Sequence, residues 1–157
     1  MTSAMKHLLL VHHSQTGSTA ALAQAVLDGA RDDAISGVEI RVASPLSADA
    51  EDVRWADAVI LGTPENFGYM SGALKYFFDR IYYPCLDHTQ GLPYALVVKA
   101  GNDGAGALAS VRRIVTGLRW REVQAPVIVK GDVNAEGLAA CRELGMALAA
   151  GLEAGLF

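Results

Sequence analysis

Apolar runs and helical periods alternate along the chain from end to end. Residues 6–11 form a short apolar run with the length of a buried strand. From Thr16 or Gly17 to about Asp33, the residues Leu22, Ala23, Val26, Leu27 and Ala30 recur at helical spacing and share one face. Gly37 closes that stretch, and residues 38–42 then alternate apolar with polar, as a strand with one wet face near a sheet edge does. A polar link with Pro45 and a short acidic turn over 49–53 come next. Residues 57–62 are apolar after Asp57, which marks a central strand, and residues 63–69 read as a loop. Ser71 is placed to cap a helix whose buried stripe is Leu74, Phe77, Phe78 and Ile81 and whose end is Pro84. A fourth strand over 94–99 leads into a glycine-rich loop over 100–106. The helix that follows, with Leu108, Val111, Val115 and Leu118 on one face, runs to about Gly117. A short fifth strand over 127–129 precedes a last helix, capped by Asn134 and bearing Leu138, Cys141, Gly145, Leu148 and Leu152.

Such alternation predicts an α/β fold: a doubly wound five-stranded parallel sheet, order 2-1-3-4-5, with helices on both faces. Ligands of sheets wound this way lie beyond the carboxyl ends of the strands, where the winding reverses. Here that point falls between strands 1 and 3.

Length and charge narrow the picture. The 157 residues suit a single domain over 1–157, and 52% hydrophobic against 19% charged residues is the balance of a chain with a substantial core. The 13 basic and 17 acidic side chains leave a net charge of −4, and no basic run exists to follow a nucleic acid backbone. No apolar run is long enough for a membrane span and no signal-peptide pattern opens the chain, so a cytoplasmic location is expected. Cys85 and Cys141 stand far apart without a CxxC partner, which reads as two reduced thiols rather than a disulfide or a metal site.

Three loops carry the candidate chemistry, each after a strand that should end on the same sheet edge. The first, with Ser14, Gln15, Thr16, Gly17, Ser18 and Thr19, gathers hydroxyls at the start of a helix. Unpaired amides and the helix dipole favour an anion there, and Gly17 permits close approach. The loop has no Lys or Arg, which rules out a Walker A loop, and no Gly-x-Gly-x-x-Gly, so a single terminal phosphate fits better than a triphosphate or a dinucleotide. Plain helix capping by Ser and Thr is the competing reading. The second loop offers Thr63, Pro64, Glu65, Asn66, Phe67, Gly68 and Tyr69, aromatic faces beside backbone amides that suit a flat ring with polar edges. The third supplies Gly101, Asn102, Asp103, Gly104 and Gly106, small enough for backbone contact with a ring edge. A phosphate site and a ring site joined by a short spacer describe flavin mononucleotide, FMN.

Two motifs carry a family resemblance. Residues 14–19, Ser-Gln-Thr-Gly-Ser-Thr, match the S/T-x-T-G-x-T phosphate loop of the flavodoxin-like FMN proteins. Residues 62–79, opening Gly-Thr-Pro and closing Lys-Tyr-Phe-Phe-Asp, resemble a segment of flavodoxin-like NAD(P)H-dependent oxidoreductases, nearest to quinone reductases of the tryptophan-repressor-binding-protein type. The resemblance implies that residues 14–19 hold the FMN phosphate and that residues 63–68 line the isoalloxazine ring, with amides near its N5 and O4. Residues 101–106 would meet the pyrimidine side. It implies an oxidoreductase that takes electrons from NAD(P)H and hands them through FMN to a quinone or a similar acceptor, a small molecule or a protein. A homo-oligomer stays open. The alternative within the same fold is a flavodoxin-type electron carrier without substrate turnover, although such carriers are usually more acidic than −4.

Other residues invite weaker readings. His12 and His13 either finish a strand or contact the phosphate. Cys85, Asp87 and His88 lack zinc spacing and read as a loop. Tyr82, Tyr83, Trp55 and Trp120 read as packing or rim residues. Glu65, if close to the ring, would disfavour a reduced, anionic flavin.

Overall fold

The computed structural model describes residues 4–13 and 17–157. In chain order the elements are β1 (Lys6–His12), α1 (Ser18–Ala30), β2 (Val38–Ala43), α2 (Ala50–Trp55), β3 (Ala58–Asn66), β4 (Tyr69–Met70), α3 (Gly72–Cys85), β5 (Pro93–Ala100), α4 (Ala105–Gly117), β6 (Arg121–Glu122), β7 (Val127–Lys130) and α5 (Ala135–Glu153). The parallel backbone of the sheet runs β2-β1-β3-β5, with β7 beside the carboxyl half of β5. This is the anticipated winding, but the sheet has seven strands rather than five. The two additional strands have two residues each: β4 pairs antiparallel with β3, and β6 pairs parallel with the start of β5. Neither is long enough to leave an alternating apolar signature, and both residues of β6 are exposed.

Side chains alternate across the sheet, so each strand feeds two cores. Leu8 and Leu10 of β1 and Ala58 and Ile60 of β3 pack under α1 and α5. Leu9 and Val11, with Val59 and Leu61, pack under α3 and α4. β2 is an edge strand, with Glu39 and Arg41 exposed, as its alternation predicts. Helix α5 lies on α1 at a reciprocal glycine crossing: a Cβ at Gly29 would collide with the Arg142 carbonyl, and one at Gly145 with the Val26 carbonyl.

Several boundaries move. β3 continues past Gly62 to Asn66, because its main chain keeps pairing with β5 as far as Pro64 opposite Lys99. The acidic stretch after Asp49 is a helix rather than a turn. The Asp49 carboxylate accepts from the Glu51 and Asp52 amides, and the Asp52 side chain accepts from the Asp49 amide, a capping box. α3 carries Pro84 within its last turn and ends one residue later. Its start is as anticipated: the Ser71 hydroxyl accepts from the Leu74 amide at 3.1 Å. Asn134 likewise caps α5 through the Gly137 amide.

Below the sheet, at the opposite end from the candidate loops, Tyr94 donates its phenolic hydrogen to Glu122 Oε1 (3.1 Å), and Arg112 holds both oxygens of the same carboxylate. Burial, then the charge of Glu122, pushes the Tyr94 phenol up to about 12 from an ordinary value of 10. The raised value favours the protonated, folded form. The stabilisation is therefore complete below pH 10 and disappears as the pH climbs through 12. Urea unfolding should show the native protein losing about 2 kcal/mol across that interval beyond what Tyr94→Phe loses. Equal losses in the two proteins would remove Tyr94 as the cause.

Candidate functional site

The parallel pairing of β1, β3 and β5 brings their carboxyl ends to one edge. Of the first loop, Ser14, Gln15 and Thr16 lie outside the described residues. Gly17 stands at the N-cap of α1 with φ 88°, a left-handed conformation that favours glycine. Ser18 opens the helix half-buried, and Thr19 is buried one residue further in. β3 runs directly behind this turn: a Cβ at Gly62 would lie 3.1 Å from His12 Cβ and 3.8 Å from Thr19 Cγ2. The start of α1 and the carboxyl end of β3 are thus neighbours.

The second loop is not a free loop. Residues 65–70 form a hairpin, with Glu65 opposite Met70 and Asn66 opposite Tyr69. The two residues between, Phe67 and Gly68, both have positive φ, 52° and 72°. Primed two-residue turns need this, and glycine supplies it readily at the second position. The turn leaves the Phe67 ring wholly exposed. Behind it, Thr63 is buried and its hydroxyl is fully used: it donates to the Pro64 carbonyl (2.8 Å) and accepts from the Ser71 amide (2.9 Å). Thr63 therefore braces the hairpin from within, and Pro64, Glu65 and Asn66 carry it outward, half-buried.

The third loop meets the second. Gly101, Asn102 and Asp103 are exposed, and the Asp103 carboxylate accepts from the Ala105 amide at 3.0 Å. Gly104, the N-cap of α4, has φ 73° and sits so close to Ile128 that a Cβ would lie 2.7 Å from its Cγ2. Gly106 faces the hairpin: a Cβ there would overlap the Gly68 carbonyl. The Ala107 amide, in the first turn of α4, donates to Glu65 Oε2 at 3.1 Å. The Glu65 carboxylate is thus engaged with a helix start, which offsets its charge.

Electrostatically the edge is mild. His12 and His13 each have a buried Nδ1 that finds no hydrogen-bond partner among the described residues. Burial, then the neighbouring His13, holds His12 below the usual imidazole range, so it is neutral at pH 7. Among the described residues no group of three or more acidic, His or Cys side chains could hold a metal ion. Cys85 is buried at the far end of α3, whereas Asp87 and His88 are exposed beyond it. Trp120 is buried, with its indole N–H on the Thr89 hydroxyl, and Trp55 is stacked on His7; both lie away from the three loops. Ser110, which bonds the Met70 amide at 3.1 Å, is a residue the chain pattern did not single out. One polar residue on an apolar helical face was the signal available.

Comparison with known proteins agrees with this layout. The family profile of NADPH-dependent FMN reductase matches residues 5–135. A flavodoxin of Aquifex aeolicus is 31% identical over 112 residues, 71% of this chain and 60% of that protein. An NAD(P)H dehydrogenase (quinone) of Archaeoglobus fulgidus is 32% identical over 97 residues, 48% of this chain and 51% of that protein. The chain thus spans about half to three fifths of the length of these relatives. A solved flavodoxin from the domain Archaea superposes with a TM-score of 0.78 at 19% identity, covering 92% of this chain and 96% of that one. A flavodoxin, WrbA-like protein from Agrobacterium tumefaciens superposes with a TM-score of 0.74 at 20% identity, covering 96% and 98%. Both superpositions speak for a flavodoxin-like fold, and no described helix is long and apolar enough to cross a membrane. With a profile match across most of its length, the chain belongs to the flavodoxin-like, FMN-binding family of NADPH-dependent FMN reductases.

Proposed function

We propose that the protein holds FMN across the three loops and works as an oxidoreductase, moving electrons from NAD(P)H to a quinone or similar acceptor. The observation that carries this reading is the hairpin turn at Phe67 and Gly68, fastened to the glycine-rich start of α4. It builds a wall of backbone amides and one bare aromatic face at the edge where α1 also begins. The groups present fit the cofactor. The first loop offers amides and hydroxyls at the start of α1, donors that suit a monophosphate. The ring end has an apolar face in Phe67, and the Glu65 carboxylate of the same hairpin is turned to the Ala107 amide.

Gly17, Ser18 and Thr19, with Ser14, Gln15 and Thr16, would take the phosphate. Thr63, Pro64, Glu65, Asn66, Phe67 and Gly68 would line the ring through the hairpin main chain and the Phe67 face, with the Thr63 hydroxyl and the Glu65 carboxylate bracing it from behind, and Gly101, Asn102, Asp103, Gly104 and Gly106 would meet its pyrimidine side. Bound FMN would supply the redox chemistry, accepting electrons in pairs and returning them to the acceptor. The chain supplies position and oriented amide dipoles, which favour negative charge as it develops on the ring edge.

The test is direct. Purified protein should be yellow or turn yellow with FMN, and NAD(P)H should bleach the bound flavin and drive quinone reduction. Colourless protein that takes up no FMN would remove the reading altogether. Flavin that binds but is not reduced by NAD(P)H would favour a carrier, the reading that the Aquifex flavodoxin relative supports. Phe67→Ala separates ligand contact from folding. Because the ring is wholly exposed, the melting temperature should not move, while the Kd for FMN should rise about tenfold. Fluorescence titration and calorimetry read the two effects, and an unchanged Kd would take Phe67 out of the site.

A further inference from the structure

We propose that Glu65 and Ser110 are positioning residues that lock the ring-facing hairpin to α4 before any ligand arrives, an inference that rests on the FMN reading of the site. Four residues, Glu65, Met70, Ala107 and Ser110, form a closed circuit. The Ala107 amide donates to Glu65 Oε2 at 3.1 Å, and the Ala107 carbonyl accepts the Ser110 hydroxyl at 2.8 Å. The same Ser110 oxygen accepts from the Met70 amide at 3.1 Å, and Met70 stands opposite Glu65 in the hairpin. The tie therefore runs from one hairpin strand through the first turn of α4 and back to the other strand. Phe67 and Gly68 are the only residues between Asn66 and Tyr69, so their peptide planes are set by the ends the circuit holds.

Each member is used in a way its chemistry allows. Ala107 lies in the first turn of α4, where amides lack an intrahelical acceptor, and the N-cap is a glycine with no side chain to offer one. Glu65 provides that acceptor from another element. Ser110 spends its one hydrogen on a helical carbonyl, which leaves its lone pairs free to accept. It is buried, so water does not compete for the Met70 amide. Gly106 completes the fit by letting the Gly68 carbonyl approach the helix. Phe67, a bulky residue, holds a left-handed conformation that it would not hold unaided.

Amide hydrogen exchange on the full chain, with and without FMN, tests the lock without relying on turnover. Met70 and Ala107 should be protected already in the absence of FMN. In Ser110→Ala and in Glu65→Ala, exchange at these amides should rise about tenfold, while the β1 and β5 amides keep their protection. Glu65→Gln retains an acceptor oxygen and should restore protection. With FMN bound, Ser110→Ala should shift the flavin midpoint about 30 mV more negative, a tenfold weaker preference for the reduced form in a two-electron couple. A merely structural serine would leave that midpoint alone. Wild-type exchange and midpoint in Ser110→Ala, or a Glu65→Gln that behaves as Glu65→Ala, would overturn the proposal. If the native protein takes up no FMN, the functional reading fails on its own, and the exchange data still decide whether the lock exists.

Discussion

Gly145→Ala should lower the stability of the protein by about 3 kcal/mol and its melting temperature by about 6–12 °C. The sign is the informative part. On helix propensity alone, alanine for glycine inside a helix should stabilise by about 1 kcal/mol. At this position the new methyl group would be driven into the Val26 carbonyl of α1, and a helix backbone has no side chain to swing aside. The two helices must separate, and Leu144, Leu148, Leu22 and Val26, all buried at that seam, lose close packing together. Gly72→Ala is the control. It also lies in a helix, but nothing stands within 4 Å of the new Cβ, so it should be neutral or slightly stabilising. Calorimetry on the two variants decides. Similar melting temperatures for both would mean that α1 and α5 have slack that the crossing does not suggest.

Gly106→Ala strikes the site instead. Position 106 is in the first turn of α4, where alanine is again the better helix former, and the methyl would overlap the Gly68 carbonyl. The hairpin must give way, and the turn proposed to face the ring moves with it. On the function proposed above, quinone reduction by NAD(P)H should fall on the order of a hundredfold, the scale set by a displacement of about 1 Å. FMN affinity should fall with it. Global stability should change little, because the hairpin tip contributes few buried residues beyond Met70. Steady-state kinetics beside a thermal melt gives the answer. Near-native turnover would show that the turn does not need its present seat.

Most of the fold was legible in the chain because its signals are local. The apolar runs at 6–11, 57–62 and 94–99 are strands β1, β3 and β5, and Ser71 and Asn134 cap the helices they precede. What escaped lacks an apolar period. The outer part of β3, Thr63 to Asn66, is polar and is held as strand by main-chain pairing with β5 and β4, which no side-chain pattern reports. The helix after Asp49 was legible in principle, since Asp49 and Asp52 stand at capping-box spacing, with Asp in place of the usual Glu. In the site, the spacing of glycines and hydroxyls marked the three loops. It could not show that Glu65 turns to α4, because that bond joins residues 42 positions apart. Nor could it single out Ser110, whose role exists only once the hairpin lies against the helix.

The seam between the first and last helices also bears on the order of events during synthesis. A nascent chain that has emerged as far as β5 already holds α1 and the strands it packs on, but the helix that crosses its glycine side is still inside the ribosome. Until α5 is released, α1 can dock only on the sheet, with its glycine side bare. Closure of the α1 side of the sheet is thereby tied to the emergence of α5, and long-range closure of this kind is slow.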